Sequence, residues 1–184
     1  MVTNEVEMAV REIVTLPQPI LRRKARKVND FGPELQTLID DMVETMRAAP
    51  GVGLAAPQVN ASQRVIAAEY GDEEDESVPP KLFVIVNPEV TRFSREVVTG
   101  TEGCLSIPEI VGDVERPLAV TVKGVNRHGQ PLKVKAKGWL ARIFQHEVDH
   151  LNGVLFVDLA ERVWKIEGET TQIGAVAQVE QKNV

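Results

Sequence analysis

The 184-residue chain has a single cysteine, Cys104, so it can close no disulfide within itself, and a lone thiol survives best in a reducing compartment. No run approaches the roughly 20 apolar residues of a membrane-spanning helix. Positive charge is not in excess either. The net charge of −6 opposes a standing affinity for phosphate backbones or anionic lipid, so neither a nucleic-acid substrate nor a membrane partner is expected. The opening "MVTNEVEMAV" lacks the basic flank, apolar stretch and small-residue cleavage site of a signal peptide, and it is acidic where a transit peptide is Arg-rich. A cytoplasmic location follows as the expectation. Histidine is scarce, with three in the chain.

With 43% apolar residues, the chain is long enough for one domain with a real core and too short for two, so one domain over 1–184 is expected. "GDEEDESVPP" (71–80) is acidic, carries two prolines and can bury almost nothing, which predicts an exposed, mobile loop. The tail from about 167 to 184 is polar, with no strong period.

The segment "PELQTLIDDMVETMRAA" places Leu35, Leu38, Ile39, Met42, Val43 and Met46 on one helical stripe, with Pro33 near its first turn. This predicts an amphipathic helix over 34–48. "GVGLAAPQV" follows as a tight loop in which Gly51 and Gly53 let backbone come close to something. "QRVIAAEY" and "KLFVIVNPEV" read as strands, and the two alternating segments around "NRHGQP" make a β-hairpin with His128 at its tip. The basic run from Arg22 to Lys27 reads as a solvated face. "WLARIFQHEVDHLNG" is helical over 138–152 and closes on Asn152 and Gly153.

Two of the three histidines lie in "QHEVDH". Positions i and i+4 share one helix face, so His146 and His150 can aim ring nitrogens at a single cation. Glu147 emerges about 100° around the axis, where a base for activating water belongs. Trp139, Ile143, His146 and His150 follow at steps of 4, 3 and 4, so an apolar wall runs into the metal site. A third ligand is needed if one position is to stay open. Cys104, in "TEGCLSIP" with Gly103 before it and Pro108 closing the segment, is the stronger candidate than any carboxylate. A thiolate with two imidazoles suits zinc or ferrous iron rather than magnesium or calcium.

Three stretches, "GVGLAAPQ" (51–58), "EGCLSIP" (102–108) and "QHEVDHLNG" (145–153), together with "PQPILRRKARKV" and "GVLFVDL", resemble the peptide deformylases over residues 13 to 159. The resemblance implies metal ligation by Cys104, His146 and His150, with Fe2+ as the usual ion and Zn2+, Ni2+ or Co2+ as ions the same set would hold. It places the general acid/base on Glu147 and the oxyanion donors on the Gln58 side-chain amide and the Leu105 backbone N–H. The implied reaction hydrolyses the N-formyl group from the initiator methionine of nascent proteins, releasing formate. Gly51, Val52 and Gly53, with Gly103, would give a peptide an extended backbone edge to pair with. Val52, Trp139 and Ile143 are the candidates for an apolar methionine pocket. Charge complementarity suggests that Glu102 and Arg116 pair and fix the loop of the thiolate.

The partners implied are N-formylmethionyl nascent peptides and, transiently, the ribosome, although the tail after "LFVDL" lacks the long amphipathic helix through which some members dock. A monomer is the simplest expectation. Two other readings remain open on the residues: a zincin-type peptidase, whose third ligand usually lies downstream as His or Glu, and a non-catalytic module whose metal only holds the fold. The fold class expected is α+β, with short antiparallel strands packed around a central metal-binding HExxH helix and a second helix near the N-terminus outside it.

Overall fold

The structure is a computed structural model that describes residues 9–49, 51–71 and 77–166. Residues 1–8, 50, 72–76 and 167–184 lie outside the described residues, and with them the expectations made for the tail and for half of the acidic stretch; its last four residues, 77–80, are exposed as expected.

Helix α1 (Pro33–Ala48) forms where the stripe predicts it. Pro33 takes the first turn, where its missing N–H costs nothing, and Leu35, Leu38, Ile39, Met42, Val43 and Met46 are all buried. Short strand β1 (Gly53–Ala55) and a 3-10 turn (Ala56–Val59) follow. The "GVGLAAPQV" loop is thus built as an edge strand.

Strands β2 (Val65–Tyr70), β3 (Lys81–Phe93), β6 (Ala119–Val125) and β7 (Pro131–Lys137) join β1 in a five-stranded antiparallel sheet of order β1-β2-β3-β6-β7. His128 is exposed in the β6–β7 turn. Strands β4 (Val97–Cys104), β5 (Ile107–Pro117) and β8 (Arg162–Lys165) make a second, three-stranded antiparallel sheet. The result is a mixed α/β fold of antiparallel sheets and few helices.

Several details correct the sequence reading. Pro108 does not end its segment. It lies inside β5, where the register with β4 jumps from Gly103↔Val111 to Cys104↔Ile107, a bulge in which no ladder N–H is required of it. The strands are not uniformly short, since β3 runs 13 residues and β5 11. Strand β8 and the four-residue helix α3 (Phe156–Leu159) had no forecast.

Helix α2 (Gly138–Leu151) packs against strands of both sheets, touching β1, β2, β3, β6 and β7 of one and β5 of the other. Its apolar residues Ala141, Ile143, Phe144, Val148 and Leu151 join Ile66, Ile85 and Val122 in one buried cluster. Asn152 and Gly153 end it as expected. Gly153 has φ +74°, and a Cβ there would stand 2.6 Å from the Arg22 carbonyl oxygen, so only glycine fits the turn.

Candidate metal centre

The end of β4 and the second half of α2 bring Cys104, His146 and His150 together, all buried, with one donor atom from each within 4.8 Å of the others. The Cys104 Sγ is 3.3 Å from His150 Nε2, and the imidazole rings lie edge to face at 5.0 Å. The helical spacing of four does what it predicts, and the hairpin from β4 into β5 carries the thiol to the same point.

Behind His146 stands Glu102, fully buried. Its two oxygens receive four N–H donors: Arg116 Nε at 2.6 Å and Arg142 Nη1 at 2.8 Å on Oε1, Arg116 Nη2 at 2.9 Å and His146 Nδ1 at 2.9 Å on Oε2. Arg116 also donates to Asp149 at 2.7 Å, so two guanidiniums face two carboxylates and the cluster is neutral. Neutrality matters because each buried unpaired ion costs several kcal/mol. Burial alone would raise the Glu102 carboxyl, but hydrogen bonds from Arg116 and His146 outweigh it and hold that group well below the usual carboxylate range. A carboxylate that stays ionised accepts the Nδ1–H of His146, which leaves the Nε2 lone pair for a ligand.

That Nε2 is buried and has no hydrogen-bond partner, and neither does either oxygen of Glu147. With His150 Nδ1 these are four buried polar atoms without a partner on three neighbouring residues, expensive for a fold to keep unless something else satisfies some of them. A divalent cation fits: one thiolate and two imidazoles supply three ligands of the softness that zinc or ferrous iron prefers, and no fourth protein ligand joins the group among the described residues. Burial raises the Glu147 carboxyl, with the negative charges of Glu102 and Asp149 adding to it against His146 and Arg116, and pushes it up to about 7. Burial drives His150 the other way, well below its ordinary value.

Of the remaining predicted residues, Gln58, Leu105 and Gly53 stand at this point, and the others lie in the strand edge and the core cluster beside it. Gln58 is buried in the 3-10 turn. Its Oε1 accepts from the Ala55 N–H at 2.9 Å, which turns its Nε2 towards Ser106 Oγ at 3.2 Å and Cys104 Sγ at 3.6 Å. Leu105 follows the thiol directly and is buried. Gly53 explains the close approach expected of its loop: a Cβ there would stand 2.4 Å from Glu147 Oε1 and 3.0 Å from Ile143 Cγ2. Gly51 donates to the Met46 carbonyl and Val52 accepts from Glu69, leaving β1 as the outer strand of its sheet. Gly103 is buried opposite Val111. Ile143 is buried in the core, and Val52 and Trp139 pack partly buried against the same cluster.

The Glu102–Arg116 pairing guessed from charge is present, and Arg116 is only 4% exposed. Arg142, Asp149 and Ser106 were missed. Arg142 and Asp149 had a signal: they stand four before and three after His146, charged residues on the ligand side of a helix that is mostly buried.

The polypeptide deformylase family model matches residues 10–165. A peptide deformylase of Symbiobacterium thermophilum is 46% identical over 174 residues, 94% of this chain and 77% of its own, and one of Desulforudis audaxviator is 45% identical over 158 residues, 86% of this chain and 98% of its own. Among solved structures, a class I type b peptide deformylase from Acinetobacter baumannii, described as bound to Met-Ala-Ser, has a TM-score of 0.76 at 40% identity over 83% of this chain and 99% of that one. The peptide deformylase of Thermotoga maritima has a TM-score of 0.77 at 38% identity over the same shares.

Proposed function

The chain belongs to the polypeptide deformylase family, and from that premise we propose that Cys104, His146 and His150 hold its metal and that Glu147 is its general acid/base. The activity of the family is the hydrolytic removal of the N-formyl group from the N-terminal methionine of new proteins, and this chain is a metal-dependent hydrolase of that kind acting on formylmethionyl peptides. The observation that carries the assignment of roles is the set of buried, partnerless atoms, His146 Nε2 and the Glu147 carboxylate, on the helix that brings His150 to Cys104.

A divalent ion at the three ligands would supply Lewis acidity and make hydroxide available near neutral pH. The chain's own groups do the rest. Glu147 takes the proton of the attacking water and returns it to the departing amine as the C–N bond breaks, leaving formate and a free N-terminus. The oxyanion that forms at the formyl carbon meets the Gln58 Nε2 and the Leu105 N–H, and the Ala55 bond to Gln58 Oε1 sets that amide in advance. The peptide lies along Gly51, Val52 and Gly53 with Gly103 opposite, pairing through backbone alone and therefore without regard to sequence. Its methionine side chain enters the wall of Val52, Trp139 and Ile143.

The same reading takes the whole chain as one catalytic domain whose strands pack around α2 as its metal-binding element, with ferrous iron as the resident ion. It takes the protein as a cytoplasmic monomer that meets its substrates by transient contact with the ribosome. No helix among the described residues is long and apolar enough to cross a membrane.

The test is to purify the chain without oxygen, measure its metals and assay formate release from formyl-Met-Ala-Ser beside Glu147→Ala. About one iron per chain and formate release that the substitution abolishes while metal is retained would support these roles. Bound metal in a chain that releases no formate, even after nickel replacement, would overturn them.

A further inference from the structure

Arg142 stands on the buried face of α2, 3% exposed, one turn before His146. Its guanidinium reaches three acceptors at once: Glu102 Oε1 at 2.8 Å, the Val114 carbonyl of β5 at 2.9 Å and the Val98 carbonyl of β4 at 2.7 Å. Its central carbon lies 5.7 Å from the Trp139 ring centroid, within cation–π range. Space for it is made on β4, where a Cβ on Gly100 would meet the guanidinium carbon at 2.9 Å.

We infer that Arg142 is a positioning and specificity residue for deformylation, tying the carboxylate behind His146 to the Trp139 wall of the methionine pocket. This rests on the roles proposed above for the metal ligands and for Trp139. Arg116 alone could neutralise Glu102, since it already grips both oxygens. The second arginine does something the first does not. It brings Oε1 to two donors, matching Oε2, so the carboxylate has no spare lone pair to turn towards and the hydrogen bond to His146 Nδ1 stays aligned. The same planar fork anchors to carbonyls of both β4 and β5, so the plate against the indole face is fixed to the strands that carry the thiol. A lysine could not do this, because an ammonium is a point donor rather than a fork.

One residue therefore governs two properties that a merely structural ion pair would not link: retention of the metal and preference for methionine. The test compares wild type, Arg142→Met and Arg142→Lys. Zinc-loaded proteins are mixed with a chromogenic chelator to measure metal release. Nickel-loaded proteins are assayed on formyl-Met-Ala-Ser and formyl-Ala-Ala-Ser for kcat and KM separately.

Arg142→Met, shown folded by circular dichroism, is expected to release zinc roughly 10-fold faster, the low end of the effect of losing the partner behind a ligand, because Glu102 remains but loses one of its anchors. Its methionine-over-alanine ratio in kcat/KM should fall roughly 2- to 30-fold through KM, the worth of one cation–π contact. Arg142→Lys keeps a cation near the ring but not the fork, so faster zinc release with selectivity largely kept is expected. It carries the test if the methionine variant does not fold. Wild-type zinc release and selectivity in a folded Arg142→Met, or wild-type zinc release in Arg142→Lys, would overturn the inference. A wild-type protein that binds no zinc or releases no formate would overturn the proposed metal site and this inference with it, whereas unchanged variants of a working enzyme overturn only the role of Arg142.

Discussion

The Nδ1 of His146 and the Oε2 of Glu102 stand 2.9 Å apart, both fully enclosed, and this contact decides which nitrogen of His146 faces the cleft. With Nδ1 committed as a donor, the other nitrogen is the one that can turn a lone pair to a cation beside Cys104 and His150, once its proton is displaced. The orientation of a ligand is thus set 44 residues away in sequence, on a different element.

Replacement of Glu102 by Ala should be among the most damaging single changes in the molecule. It strips the carboxylate from two buried guanidiniums, and breaking a buried pair by removing one partner costs about 3–5 kcal/mol. Metal affinity should fall roughly 10- to 100-fold as well, because His146 loses the acceptor that orients it. Urea unfolding and a competitive zinc titration measure the two losses. A variant with wild-type stability and zinc affinity would remove the network from the account of both.

Gly53→Ala probes how closely β1 must approach the base. The added carbon would stand 2.4 Å from Glu147 Oε1, so either the carboxylate or the strand must shift by the better part of an ångström. Misplacement on that scale costs on the order of 100-fold in rate. Formate release should drop at least 10-fold while metal content holds, and a wild-type rate would mean that Glu147 need not sit where it does.

Gln58→Ala removes one oxyanion donor and should lower kcat roughly 100- to 1,000-fold with metal retained. The split between constants is the informative part: a rise in KM with kcat intact would assign Gln58 to substrate binding instead.

The parts of this site that could be read in the sequence are those whose geometry is local. His146 and His150 are four apart on a helix whose apolar stripe is plain, and Cys104 stood out because it is the chain's single thiol. The α1 stripe was legible for the same reason. Strands β4 and β5 were not: "VVTGTEGC" and "IPEIVGDVERP" carry glycine and proline that oppose strand propensity, and only the bulge between them makes Pro108 acceptable. Arg142 was hidden with them. Its carboxylate lies 40 residues upstream, and its two carbonyl acceptors sit on strands whose pairing no local pattern shows. The Glu102–Arg116 pair, separated by 14 residues, could be guessed from charge because it is made across a single hairpin.

The pH dependence of stability should expose Glu147 in the metal-free protein. Its folded pKa is raised from 4.5 to about 7 by burial, so its contribution is complete below about 4.5 and is lost as pH rises through about 7, where the enclosed carboxyl ionises. His150 works in the opposite sense: its folded pKa is depressed, so its contribution is present above 6.5 and lost as pH falls below it. His146 adds a third slope: burial lowers its imidazole, but Cys104 and Glu102 outweigh burial and push it up to about 10, so its contribution is present below 6.5 and lost as pH rises towards 10. Because these overlap in the wild-type curve, the decisive quantity is the difference from Glu147→Gln, which cannot ionise. The variant should gain in Tm relative to wild type as pH goes from 4.5 to 7 and level off above. Added zinc should shrink that gain, since a cation at the three ligands favours the ionised carboxylate beside it. Parallel Tm curves across that window would show that Glu147 ionises in the fold as it does in water, and its assignment as a base tuned by burial would fail.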